Sequence, residues 1–140
     1  MKKVLIVDDD PLITRLYAWH FRAAGFEVAV ANSGREGLAA VSSFLPDAVL
    51  LDLDMPDLDG VHWLEEVRKD PRFARLPITA FTAATYGWQF WAASNAGVSF
   101  IFKSGAVPRE VVRSIGAALA AAAPPVVSAG PSAPRSRDTP

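Results

Sequence analysis

The sequence contains no cysteine. That absence excludes a disulfide framework, a thiolate nucleophile and any cysteine metal site. An excess of charge of one sign is also missing: the net charge is −1, so the bulk chain is not a binder of polyanions. Long hydrophobic runs are lacking too. The first one, Val4 to Val7, stops at three consecutive acids. It is too short for the apolar region of a signal peptide, and no stretch is suited to span a bilayer, so the chain reads as cytoplasmic. What the chain does have is a hydrophobic content of 51% over 140 residues, enough for one domain with a sizeable core.

The apolar residues fall into alternating short and periodic groups. Val4 to Val7, Phe26 to Ala31, Ala48 to Leu51, Ile78 to Phe81 and Val98 to Phe102 predict five strands. Between them lie helical segments. Asp10 then Pro11 is a good helix start, and Leu12, Ile13, Leu16, Trp19 and Ala23 recur at helical spacing up to Gly25. Asn32-Ser33-Gly34 reads as a turn or cap before a second helix that reaches about Phe44. A third helix is expected over Gly60 to Lys69, with Val61, Leu64 and Val67 inward, and a fourth over roughly Thr85 to Ala96. Pro108 opens an alanine-rich last helix with a stripe of Val111, Val112, Ile115 and Leu119. Five strands alternating with five helices predict an α/β domain with a parallel sheet covered on both faces. The domain is expected over residues 1–122, and 123–140, rich in Pro, Ser, Ala and Gly, reads as a disordered tail.

Right-handed crossovers put every strand's C-terminal end on one edge. That edge collects Asp8, Asp9 and Asp10 from the first strand, Asp52 from the third, Thr82 from the fourth and Lys103 from the fifth. Asp10 has a structural task as a helix cap. Taken singly, Lys103 reads as a solvated lysine and Thr82 as a cap. Together they read better as a site. If the first and third strands are neighbours, Asp8, Asp9 and Asp52 crowd together, and such carboxylates raise one another's pKa unless a cation lies between them. Carboxylates with a backbone carbonyl suit Mg2+. A carboxylate can attack phosphorus to give an aspartyl phosphate, and phosphoryl transfer needs positioning and charge neutralisation above all. Lys103 and Thr82 would then meet the phosphoryl oxygens.

This arrangement resembles the receiver domain of two-component response regulators. The likeness spans about residues 2 to 121. It rests on Val-Asp-Asp-Asp-Pro at 7–11, Leu-Asp-Leu-Asp-Met-Pro-Asp-Leu-Asp-Gly at 51–60, Phe-Thr-Ala at 81–83, and Lys103 closing an apolar strand opened by Gly97. The resemblance implies a flavodoxin-like three-layer sandwich with strand order 2-1-3-4-5. It implies Asp52 as phosphoacceptor, Asp9 and Asp52 with the Asp54 backbone carbonyl as direct ligands of Mg2+, and Asp8 as a ligand through water. It further implies that Thr82 and Lys103 hold the phosphoryl group and that Phe100 is the switch aromatic, although Phe100 also reads as an ordinary core residue. The expected partners are a histidine kinase or histidine phosphotransfer protein as donor. A separate effector, or a second copy, would read the face formed by the fourth helix, fifth strand and last helix. The protein would be a phosphoacceptor signalling protein and not an enzyme in the ordinary sense.

The chain departs from the family at two places. Ser104 follows the lysine where proline is usual, so the loop is either trans and repositions Lys103 or stores strain. The expected fourth helix carries Trp88 and Trp91 where the family shows polar surface, which reads either as a docking surface or as a helix packed down on the domain. The tail has Arg135 and Arg137 but no helix-turn-helix pattern, so a stand-alone receiver without direct DNA binding is expected. His20 and His62 read as solvated or partly buried, not as phosphodonors or metal ligands. Two other functions fit some of the residues. One is an aspartyl phosphohydrolase of the haloacid dehalogenase type, suggested by Asp52-Leu53-Asp54. The other is a receiver-like interaction module that no longer uses phosphate.

Overall fold

The five apolar runs form five parallel strands because each is short, largely apolar and long enough to cross one sheet. The computed structural model describes residues 1–83 and 97–122. The strands are β1 (Lys3–Val7), β2 (Glu27–Ala31), β3 (Ala48–Leu51), β4 (Ile78–Thr82) and β5 (Ser99–Phe102). The described helices are α1 (Pro11–Ala23), α2 (Gly34–Phe44), α3 (Gly60–Arg68) and α4 (Pro108–Ala122), with a 3-10 turn at Pro71–Phe73. The strand order is β2-β1-β3-β4-β5, all parallel, as expected. The expected helix over 85–96, with Trp88 and Trp91, lies outside the described residues, as does the expected tail.

Alternation along the strands feeds two cores. Leu5, Val7, Val49 and Leu51 point to one face, where Val41, Trp63, Leu64 and Val67 cover them. Val4, Ile6, Ala48 and Leu50 point to the other, covered by Tyr17, Ala18, Phe21, Val111, Ile115 and Leu119. Val61, Leu64 and Val67 are buried as expected, and so is the stripe of α4.

Helix α1 forms as expected, but the residues that recur along it in the sequence are not the ones it buries. Thr14, Tyr17, Ala18 and Phe21 are its buried residues, while Leu12, Leu16 and Trp19 are 70%, 45% and 66% exposed. Ala23 is exposed as well, and Ile13 is partly buried against the core. Both sets follow helical spacing, so periodicity could not choose between them. Ring packing decided it. Tyr17 lies on Phe81 with centroids 4.9 Å apart, and Phe21 meets Phe26 edge-on at 5.3 Å.

Helices α1, α2 and α3 start on side-chain caps. Asp10 accepts from Leu12 N, Ser33 from Glu36 N and Asp59 from His62 N. Asp59 also lies 3.0 Å from His62 Nδ1, and this pairing raises the His62 pKa. His62 is exposed and His20 partly so. Asp59→Ala is expected to cost about 1 kcal/mol of folding stability. It should also return the His62 pKa toward its ordinary value. Urea unfolding and an NMR titration of His62 check the two effects, and an unmoved His62 would show that the pairing is absent in solution.

Candidate functional site

The site is built where the backbone ladder runs out. β1 and β3 pair up to Val7 opposite Leu51, and Asp52 N then donates to Val7 O at 2.8 Å. Asp8 and Asp52 are therefore the first residues past the end of two adjacent strands. β4 and β5 pair up to Thr82 opposite Phe102, and Lys103 N donates to Thr82 O at 2.9 Å. The register alone brings all four to one edge.

Their side chains converge. Ligand atoms of Asp8, Asp9 and Asp52 lie within 4.8 Å of one another. Asp8 and Asp52 are 2% and 4% exposed, whereas Asp9 is open to solvent. Lys103 Nζ sits 2.9 Å from Asp8 Oδ2 and 3.6 Å from Asp52 Oδ2. Asp52 Oδ1 accepts from Asp54 N at 3.1 Å, and Asp8 Oδ1 accepts from Asp10 N at 3.0 Å. Thr82 is buried beside them, and Asp54 is exposed on the loop that follows.

The electrostatics follow from this crowding. Burial pushes the Asp52 carboxyl up to about 7; the Asp54 N–H pulls it down, the Asp8 charge raises it, and Lys103 lowers it. For Lys103, burial pulls the pKa down, but the Asp8 hydrogen bond and the charges of Asp52 and Asp8 outweigh it and leave the pKa raised. One cation thus faces several carboxylates. That is a surplus of hard oxygen donors at one point, and the donor set fits a divalent cation such as Mg2+.

The loop after β5 answers the question raised by Ser104. There is no cis peptide bond among the described residues. Ala106 N donates to Lys103 O at 3.2 Å, closing a turn in which Gly105 has φ of 77°. Glycine takes this left-handed position without strain, so Ser104-Gly105 turns the chain in proline's place. Lys103 still reaches both carboxylates. Phe100 is partly buried, lies opposite Ala80, and packs on the core shared with α2 and α3.

Two residues near the site had no assigned role in the sequence. Asn32 was readable only as part of a turn, and Asp57 only as a loop acid. Both make contacts across loops distant in sequence, which no local spacing announces.

The fold has counterparts among known proteins. The sequence matches the response regulator receiver domain family over residues 4–112. It is 37% identical over 83 residues to the DNA-binding dual master transcriptional regulator RpaA of Synechocystis sp., covering 59% of this chain and 34% of that protein. It is 30% identical over 118 residues to the DNA-binding response regulator MtrA of Mycolicibacterium paratuberculosis, covering 84% of this chain and 51% of that one. The chain therefore spans about half or less of the length of these relatives. A CheY-like response regulator receiver domain protein from Methanospirillum hungatei superposes with a TM-score of 0.79 at 28% identity, covering 86% of this chain and 95% of that chain. With the parallel order β2-β1-β3-β4-β5 and the family match over residues 4–112, the chain belongs to the response regulator receiver domain family.

Proposed function

We propose that this receiver accepts a phosphoryl group on Asp52 from a phosphohistidine, with Mg2+, and passes its phosphorylation state to a separate partner. The observation that carries this reading is the cluster itself: three carboxylates within 4.8 Å of one another and one lysine bridging two of them. Asp52 acts as nucleophile. Its carboxylate oxygen bonds to phosphorus as the P–N bond of the donor breaks and the imidazole leaves. The donor is a histidine kinase or a histidine phosphotransfer protein.

The strand ends supply positioning. Asp54 N holds one Asp52 oxygen, which leaves the other, on the Lys103 side, to attack. Lys103 gives up its pairing with Asp52 to meet a phosphoryl oxygen, and Thr82 offers its hydroxyl to another. Asp8, Asp9, Asp52 and the Asp54 carbonyl would hold Mg2+, which supplies charge neutralisation at the phosphoryl group when bound. Phosphorylation then draws Thr82 inward and Phe100 with it, which shifts the population of the face around β5 and α4. The protein turns over only its own acyl phosphate. The matched relatives are named as DNA-binding regulators, and we assign this chain their receiver function alone.

The test is the intact mass of the protein after incubation with acetyl phosphate and Mg2+. A single phosphoryl adduct is expected, dependent on Mg2+ and lost in Asp52→Asn. No adduct, with Mg2+ binding shown separately, would favour a phosphate-independent interaction module. Steady turnover of a generic phosphate ester would favour a phosphohydrolase.

A further inference from the structure

We propose that the turn from Asn32 to Arg35 is a clasp that fixes the two acid-bearing loops relative to each other, with Asn32 and Asp57 as positioning residues for the divalent cation. The proposal rests on the Mg2+-dependent reading above. Its need is visible in the sheet. The ladder between β1 and β3 stops at Val7 and Leu51, with one further bond from Asp52 N to Val7 O. Asp9 and the Asp54 carbonyl lie beyond that point, so pairing of the two strands does not set their separation.

The clasp grips both loops from one four-residue turn. On one side Asn32 Nδ2 donates to the Asp8 carbonyl oxygen and to Thr14 Oγ1, each at 3.0 Å. The Thr14 hydroxyl donates to Pro11 O at 3.1 Å, so its lone pair is what faces Asn32. Asp8 N in turn donates to Ala31 O at 3.0 Å. The end of β2 therefore holds both backbone polar groups of Asp8. On the other side the Asp57 carboxylate accepts from Gly34 N and Arg35 N, both at 3.0 Å. These are first-turn amides of α2, which have no partner inside the helix. Gly34 sits so close that a Cβ there would lie 2.5 Å from Leu58 O. Neither Asn32 nor Asp57 belongs to the cluster of carboxylates, so each acts through the residues it holds.

The experiment is Mg2+ titration of the full chain by isothermal calorimetry. The proteins are the parent, Asn32→Ala, Asp57→Ala, Asp57→Asn, and Asp70→Ala as a cap variant at the far end of α3, where Asp70 accepts from Arg72 N. Asn32→Ala and Asp57→Ala are each expected to weaken Mg2+ binding about tenfold, the scale for groups that orient metal ligands. Asp57→Asn keeps an acceptor oxygen but no charge. It should recover part of the affinity, which assigns the effect to the hydrogen bonds and not to the lost charge. Asp70→Ala should lower thermal stability and leave Mg2+ affinity unchanged. Raising Mg2+ should restore adduct formation from acetyl phosphate in both alanine variants. Parental Mg2+ affinity in Asn32→Ala and Asp57→Ala, with thermal stability reduced, would overturn the clasp while leaving the receiver reading intact. A parent protein that takes up no Mg2+ would overturn both.

Discussion

Gly60→Ala is expected to destabilise the protein by about 3 kcal/mol, the upper end for forcing atoms into a packed interior. Gly60 is buried at the start of α3, and its N–H donates to Leu53 O at 3.0 Å. A Cβ there would lie 2.5 Å from Leu53 Cα and 2.7 Å from Asp52 O. Both obstacles are backbone, so neither can turn aside. The peptide that leaves Asp52 must move instead, and phosphoryl acceptance should fall along with stability. Gly116→Ala is the matched control. Gly116 lies inside α4, and a methyl group added there would meet nothing within 4 Å, so the same change should stabilise by up to ~1 kcal/mol through helix propensity alone. Urea unfolding of the two variants should give shifts of opposite sign. A Gly60→Ala protein with the parental midpoint would show that α3 can back away from the strand end without cost.

In buffer free of divalent metal, Asp52→Asn is expected to be more stable than the parent at pH 8 and to lose most of that advantage by pH 5. The folded protein holds the Asp52 carboxyl at about 7, chiefly through burial. In the unfolded chain the same carboxyl titrates near its ordinary value of about 3.9. Between these two pH values the folded state keeps a proton that the unfolded state has released. Stability from this group is therefore fully present below about pH 4 and is lost as pH rises through about 7. Asparagine never acquires the charge and escapes the loss. The gap at pH 8 should be roughly 2 kcal/mol, about half of the full conversion at 1.36 kcal/mol per pKa unit, because solvent screens a site at the sheet edge. Unfolding midpoints at pH 5, 6, 7 and 8 check this, and parallel curves for the two proteins would refute it. Added Mg2+ should stabilise the parent more than the variant and narrow the gap.

The strands and the edge residues were legible because each carries a local signal, whereas the strand order came only from the resemblance to the receiver family. Val4 to Val7 and Ala48 to Leu51 are short, wholly apolar runs ended by acids, and burial on both faces follows directly. Helix α1 was legible as a helix and misleading as a surface. Its two stripes, one through Leu12, Leu16 and Trp19 and one through Thr14, Tyr17 and Phe21, have the same period. Tyr17 and Thr14 look polar in a sequence, yet Tyr17 has Phe81 to lie on and Thr14 has Asn32 and the Pro11 carbonyl to bond. Trp63 shows the same limit, since nothing in its spacing announced that it would be fully buried beside Gly37.

By itself the sequence determined the class of fold, the strand that carries Asp52, and the set of polar residues at the strand ends, because alternation and caps act over a few residues. Tertiary structure decided what those residues do to one another. The ion pair of Lys103 with Asp8, the raised pKa of Asp52, the turn at Gly105 that replaces proline, and the grip of Asn32 and Arg35 on two separate loops all depend on elements far apart in the chain. Their energies arise from burial and from distances of about one hydrogen bond, which exist only once the sheet has set the register.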